Sequence, residues 1–425
     1  MTTFENLPYL SIQQIALTIP FNDIRALCYT NKRFKQTICG NQEFWYDKLV
    51  RDYGITEEYS ETLDWKKIYE SYVYRLIGIG LNRFGQLGLG YETNVGELTN
   101  IPTVPFKDVV CDEGNTIIID EDGNLWETGS KFDRKTGWSI NNTNEFVQLT
   151  HDLKFVQVAC GKFSTLALSE DNKIWITGNI GYGPIELEGV DRVDQFTELE
   201  NFRAKQISCR GVNFAFIDLN GNLYSFGFNN YGQLGRGISS SQIYKIPGRV
   251  LIDVPIIQVS CGPFHTACID INNDIWVVGY NRFGQLGLDK LQEKGHPERM
   301  PNHKAKYISC GSYSTAFIDL EDHVWVCGLN NHQQLGLMEI KSSHSPIKIT
   351  KVYHEGQIVN MDFKVRKVYC SEYVTLFIDL NENLWVTGKN KYLNIVSDVP
   401  AMVPGIKANK AAISFQHMVI RGYYN

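Results

Sequence analysis

The chain has 425 residues, 43% apolar and 21% charged, with a net charge of −6. That apolar share excludes global disorder, and the acidic balance excludes a general electrostatic grip on nucleic acid. No apolar run reaches the ~18 residues of a membrane span, and no charged-then-apolar leader opens the chain, so a cytoplasmic or nuclear protein without a membrane partner is expected. The length suits two or three domains or one repeat array. Thirty-six glycines, 22 tyrosines and 22 phenylalanines point to many turns and many half-buried strands. Forty isoleucines and 33 asparagines against 13 alanines fit a bias of coding and imply no function.

Residues 1–75 read as helices. Leu7-Pro8 precedes Ser11, after which Ile12, Ile15 and Ile19 share a helical face that Pro20 ends. Asn22 or Asp23 would cap a second helix carrying Ile24, Leu27 and Cys28, and Asn31 a third carrying Phe34 and Ile38. Asn41 would cap a fourth with Phe44, Trp45, Leu49 and Tyr53, closed by Gly54, and Asp64 precedes Trp65, Ile68, Tyr69 and Tyr72. This order (Leu-Pro, Asp-Ile-x-x-Leu, Asn-Lys-x-Phe, Phe-Trp, Trp-Lys-x-x-Tyr) resembles an F-box, a short helical motif that docks on a Skp-type adaptor of cullin ubiquitin ligases. The resemblance implies that residues 7–28 bind the adaptor, with Leu7, Pro8, Ile12, Ile15, Ile19, Ile24 and Leu27 at its surface. Phe34, Trp45 and Trp65 are expected to be internal packing.

From residue 76 onward the chain repeats. VACGKFSTLALSEDNKIWITG (158–178) recurs as VSCGPFHTACIDINNDIWVVG (259–279) and ISCGSYSTAFIDLEDHVWVCG (308–328), with weaker copies at 109–129, 207–227 and 368–388. In every copy a cysteine (Cys111, Cys160, Cys209, Cys261, Cys310, Cys370) stands 15 residues before an aromatic (Trp126, Trp175, Tyr224, Trp276, Trp325, Trp385). A glycine follows that aromatic by three (Gly129, Gly178, Gly227, Gly279, Gly328, Gly388). Each copy reads as a hairpin whose turn is rich in Asp, Asn and Gly. A second string, GLNRFGQLG (80–88), returns at 227–235, 279–287 and 328–336 and suggests a buried turn where backbones approach closely. Cysteine spacings of 49, 49, 52, 49 and 60 place the largest insertion within 329–369.

The ends of the array complement each other. AAISFQHMVI (411–420) matches the opening strand of a unit, with Ile413 at the cysteine position, and no Trp-bearing strand follows. RLIGIGLNRFGQLG (75–88) begins with that missing piece, and Gly80 lies 31 residues before Cys111, as Gly279 does before Cys310. Pairing the ends would remove exposed sheet edges. The expected fold is therefore mainly β: a seven-bladed propeller of about 50-residue repeats over 76–425, its last blade closed by the first strand, after a small all-α domain at 1–75. The array resembles the regulator-of-chromosome-condensation repeat family, propellers whose repeats carry the G-x-N-x-x-G-Q-L-G and C-G-x-x-H-T strings. Ser130–Trp138, Asn179–Pro184 and Lys389–Ile395 depart from the G-x-N-x-x-G-Q-L-G string, and looser turns are expected there.

Other constellations carry little chemistry. Six of the ten cysteines occupy one register in different blades, so separate buried thiols in a reducing compartment are expected. The histidines show no ligand spacing, the repeated tryptophans read as core, and G-x-S-x-G, G-x-x-x-x-G-K-[ST] and G-x-G-x-x-G are all missing. No catalytic residue, metal or cofactor is expected. The reading is a substrate-recruiting F-box subunit, with an unidentified target protein held by propeller loops and no nucleic-acid partner. Leu337–Lys364 and Glu186–Glu200 are candidate contact stretches. Two alternatives stand beside this reading: guanine-nucleotide exchange on a small GTPase, which the repeat resemblance implies, and a structural scaffold or viral particle component. The F-box-plus-repeat pairing and the Ile/Asn-rich composition suit a giant DNA virus of a protist, or the protist, and so a host-cytoplasmic location if viral.

Overall fold

A computed structural model of the chain describes residues 8–424 apart from 20, 22–23, 25–26, 29–30, 54–57, 113, 134–137, 150–151, 163, 180–191 and 238. Two units divide the chain, Met1–Arg75 and Leu76–Asn425.

In the first unit, α1 (Tyr9–Thr18) begins directly after Pro8, two residues earlier than Ser11 suggests. Proline supplies a helix-ready φ of −58° there and loses no needed N–H. A short helical turn, Lys32–Phe34, widens into a π-type turn at Lys35–Cys39. Next come α2 (Gln42–Tyr53) and α3 (Trp65–Val73). The expected caps are present where the structure describes them. Asn31 Oδ1 accepts from the Phe34 N–H at 2.9 Å, Asn41 Oδ1 from Phe44 at 3.1 Å, and Asp64 Oδ1 from Lys67 at 3.2 Å. The Asn22 and Asp23 caps lie outside the described residues. Trp45 packs against Phe21, Phe44 and Tyr69 with centroids 5.2–6.1 Å apart, and Phe34 and Trp65 are fully buried. Buried Lys48 is satisfied by the Leu17 carbonyl at 3.1 Å and by Asp52 at 2.8 Å. One expectation is corrected here: Cys28 and Cys39 form a disulfide, so the ten cysteines are not all separate thiols. The helical register that presents Cys28 gave no sign of its partner.

The second unit is built from antiparallel four-stranded meanders. Three stand alone, one of them formed by Ile256–Cys261, His265–Asp270, Asp274–Gly279 and Lys294–Lys304. The others merge through two 19-residue strands, Arg192–Arg210 and Ile395–Ile413, each of which pairs within two successive meanders. The first strand, Arg75–Gly80, lies hydrogen-bonded between Val95–Ile101 and the last strand, His417–Tyr424. The 337–364 stretch is not one long loop. It supplies an outer strand, Ser342–Lys348, and an extra hairpin, Lys351–His354 with Gln357–Asn360.

Five of the six hairpin turns in the Cys-to-Gly copies are organised by an Asp, and the sixth has Ser169 in its place. Asp270 Oδ1 accepts the N–H groups of Asn272 and Asp274 at 2.8 and 3.0 Å, and its Oδ2 accepts the Trp276 indole N–H at 2.9 Å. Trp126, Trp325 and Trp385 donate to Asp120, Asp319 and Asp379 in the same way, and Trp175 to Ser169. The repeated indole is thus anchored by a polar group six residues earlier while its ring lies against the apolar layer. That layer sits between successive sheets: Ala215, Ile217 and Leu223 of one face Ile256, Val259 and Cys268 of the next.

Candidate binding surfaces

The residues expected at an adaptor surface divide sharply. Leu7 lies outside the described residues, Pro8 is exposed, Ile15 is 38% exposed, and Ile19 and Leu27 are half-buried. Ile12 and Ile24 are fully buried, so they are interior residues and not surface anchors. The helical period places Ile12 and Ile15 of α1 on one face with Ile19 just past its end, but a face that packs on α2 buries its centre and leaves its flank out. Exposed apolar surface on α1 comes instead from Tyr9, 51% exposed, and Leu10, 72%, alongside Ile15.

In the second unit the two repeated strings meet across neighbouring meanders. Thr116, Thr266, Thr315 and Thr375 donate their hydroxyls to the carbonyls of Gln86, Gln233, Gln285 and Gln334 at 2.6–2.8 Å. Asn82, Asn229, Asn281 and Asn330 are fully buried, each taking the N–H of the leucine five residues on. A side chain at Gly85 would meet the Thr143 carbonyl at 2.5 Å, which explains glycine at this close approach. At Lys389–Ile395 the string has decayed, yet Asn390 remains buried and holds Tyr392 N–H and the Phe415 carbonyl. The Ser130–Trp138 and Asn179–Pro184 departures fall mostly outside the described residues.

The opening strands of the meanders surround a polar cavity of about 280 Å³. Three residues before the repeated cysteine position stand Asp108, Gln157, Gln206, Gln258, Tyr307, Lys367 and Lys410. Gln157 bonds both N–H and C=O of Ile207, Gln206 those of Val259, and Gln258 those of Ile308, at 2.9–3.3 Å. These glutamines were missed in the sequence, although their recurrence in three successive copies was a readable signal. At the other end of the strands Arg210 reaches across to the carbonyls of Cys370 at 2.5 Å and Cys310 at 3.4 Å. Burial pushes the Cys261 thiol up to about 12 and the Cys370 thiol to about 11, so neither supplies a thiolate at neutral pH. Among the described residues no group of three or more His, Cys, Asp or Glu could hold a metal.

A run of half-exposed rings lies on the repeat loops. Tyr231, Phe283, His332 and Tyr392 occupy the fifth position of the second string or its decayed copy, and Phe264, Tyr313 and Tyr373 follow the cysteine by three. Tyr231 sits 4.8 Å from Tyr280, Phe264 stacks on Tyr313 at 5.0 Å, and Phe283 meets Tyr313 at 5.4 Å. The run resumes with His332 against Tyr373 at 4.3 Å and Tyr373 against Phe415 at 5.1 Å. Arg282 lies over Tyr280 and Lys391 over Tyr392, with centroid distances of 6.0 and 4.9 Å. Partial burial, together with Glu372, pushes the Tyr373 phenol up to about 12. These half-exposed rings form an aromatic rim with cationic edges.

The same repeats occur in known proteins. The description "Regulator of chromosome condensation (RCC1) repeat" matches residues 220–269, 272–318 and 321–378, and a second RCC1 repeat description matches 155–183 and 256–285. The ultraviolet-B receptor UVR8 of Arabidopsis thaliana is 26% identical over 226 residues, covering 52% of this chain and 41% of the receptor. The E3 ubiquitin-protein ligase MYCBP2 of Danio rerio is 34% identical over 113 residues, 25% of this chain and 2% of the ligase. The chain thus spans less than half the length of these relatives. Human WBSCR16 superposes with a TM-score of 0.70 at 20% identity, covering 82% of this chain and 99% of that one. Yeast RCC1 (Prp20), solved bound to Kap60, gives 0.71 at 15% identity over 87% and 95%. The fold is mainly β, an RCC1-like propeller accompanied by a few helices. The chain carries RCC1-type repeats.

Proposed function

We propose that this chain is a protein-interaction module without chemistry of its own. In this reading seven four-stranded blades form a closed ring whose aromatic rim holds a target protein. An F-box-like N-terminal unit recruits a Skp-type adaptor and so brings the target to a ubiquitin ligase that other chains supply. The aromatic rim is the observation that carries the reading. Aromatic and arginine side chains dominate binding energy at protein interfaces, and rings held half-exposed on loops of a rigid scaffold meet that requirement. On the helical unit, Tyr9, Leu10 and Ile15 offer the apolar anchors of a helix-in-groove contact. A zebrafish E3 ubiquitin-protein ligase is 34% identical to this chain over 113 residues, which supports the link to ubiquitin transfer.

A pull-down of purified Skp-type adaptor tests the recruiting half. The intact chain is expected to retain the adaptor, and the Leu10→Asp/Ile15→Asp variant to lose it. A chain that never retains adaptor sinks the F-box reading; a variant that binds like wild type sinks the mapped surface. The RCC1 repeats support a second reading, exchange on a small GTPase. Faster nucleotide release from a GTPase in the presence of this chain would put that reading first.

A further inference from the structure

The ten cysteines divide into two chemically different groups. Eight belong to the second unit and stand there as free thiols, six of them buried and Cys111 and Cys209 half-buried. Burial holds each of these thiols well above the ordinary range, so none is a ready nucleophile. The other two, Cys28 and Cys39, are half-buried in the helical unit and bonded to each other. A chain that keeps eight of ten cysteines as thiols is not a disulfide scaffold, and one half-buried bond in such a chain is open to exchange with a small thiol. Gly40, next to Cys39, is exposed, as are Lys35 and Gln36 of the same turn.

The bond fixes more than its own loop. Cys39 ends the π-type turn Lys35–Cys39, which packs on α1, and Ile38 before it is fully buried. The Cys39 carbonyl accepts the Trp45 indole N–H at 3.3 Å. Two residues on, Asn41 spans both neighbours: its Nδ2 donates to the Tyr9 hydroxyl at 2.9 Å while its Oδ1 caps α2. On the other side of the bond, the Leu27 carbonyl accepts the Asn31 N–H at 2.9 Å, and Asn31 Oδ1 caps the turn Lys32–Phe34. A covalent link between residues 11 apart thus holds a segment whose end positions Tyr9, the exposed start of α1.

We propose that Cys28 and Cys39 form a reversible dithiol–disulfide couple, exchanged with a small disulfide of the glutathione class, whose closed form holds the turn and the start of α1 in place and whose open form releases them. The exchange balances. One protein thiolate attacks the reagent's disulfide and expels a thiolate, and the second attacks the mixed disulfide and expels another. Two protein thiols and one reagent disulfide become one protein disulfide and two reagent thiols, with two electrons passing to the reagent. Opening the bond returns chain freedom to the loop. The Asn41 and Trp45 hydrogen bonds left at the end of the turn reach solvent in part and are of modest net strength. The consequence for adaptor docking rests on the F-box reading, whose anchors are Tyr9, Leu10 and Ile15; the couple itself does not.

Two measurements on the full chain decide it. The wild-type chain is equilibrated in glutathione buffers of increasing thiol share, quenched in acid and alkylated in denaturant, and its cysteine peptides are quantified by mass spectrometry. Cys28 and Cys39 should pass together from bonded to free, with Cys261 and Cys370 free throughout. A bond that survives every glutathione buffer and opens only in dithiothreitol, or one that never forms, overturns the proposal. Native-state hydrogen exchange then compares the two forms. Amides of Tyr9–Thr18 and Lys35–Cys39 should exchange roughly tenfold faster in the reduced chain, with Ser314–Ile318 unchanged. The Cys28→Ser/Cys39→Ser variant should behave as the reduced chain in every buffer. Equal exchange in the two wild-type forms refutes the switch, and a variant that still follows the buffer refutes its assignment to this pair. Neither readout involves the adaptor, so a failure here leaves the recruiting reading standing, and failure of that reading leaves the couple standing.

Discussion

At the residue scale, the repeated Asp and the buried histidines show how polar groups are afforded inside a β scaffold. An Asp at the end of the second strand accepts two turn N–H groups and an indole N–H, so one carboxylate fixes both the hairpin and the aromatic that packs beside it. Burial alone would raise Asp319, but donation from Trp325 and the His323 backbone outweighs it and holds its pKa below the ordinary value of 3.8. His265 and His417 are the opposite case. Burial pushes each from 6.5 down to about 3, with Arg210 adding to the effect at His265, so both are neutral in the fold. Their folded pKa lies below the unfolded one. The stability they contribute is therefore complete above about pH 6.5 and is lost progressively as pH falls towards about 3. Urea midpoints measured from pH 7.5 down to 4 should fall accordingly. The double variant His265→Gln/His417→Gln should show a flatter profile over that window, and an unchanged slope would contradict the assignment.

At the element scale, successive meanders are joined by side chains reaching from one opening strand to the backbone of the next. Gln206 satisfies Val259 at both N–H and C=O, at 3.0 and 3.3 Å. Gln206→Leu leaves both groups in a poorly solvated place and should cost about 1–3 kcal/mol, read as a lowered urea midpoint with unchanged m-value. The hairpins and the two strings were legible because their residues recur at fixed offsets and each has a local job. The glutamine zipper was equally periodic, but its partner is about fifty residues away, and no local rule pairs the two. In the helical unit the period found the face of α1 correctly. It could not tell its buried centre, Ile12, from its exposed flank, Ile15, because that difference is made by α2.

At the scale of the molecule, the complementary ends carry the largest claim. His417 lies 2.9 Å from Thr116 as His265 lies 2.8 Å from Thr315, so the contact between last and first meanders repeats one found inside the array. The Leu81 N–H donates to the Gln416 carbonyl at 2.9 Å, the Arg421 guanidinium to the Phe106 carbonyl at 2.8 Å, and the Tyr424 hydroxyl to Leu98 at 3.0 Å. A closed ring has no sheet edge at the junction and can hold its rim loops rigidly. The junction was readable in the sequence from a half-unit at each end, whereas the aromatic rim was not, since its rings lie on loops of successive repeats that only the packing of one meander on the next brings side by side. Native-state hydrogen exchange at Arg75–Gly80 and His417–Tyr424 tests closure most directly. Their amides should be protected as strongly as those of the interior strand Ser314–Ile318, because they open only with the whole ring. Exchange at the rate of frayed chain ends would show that the ring is open.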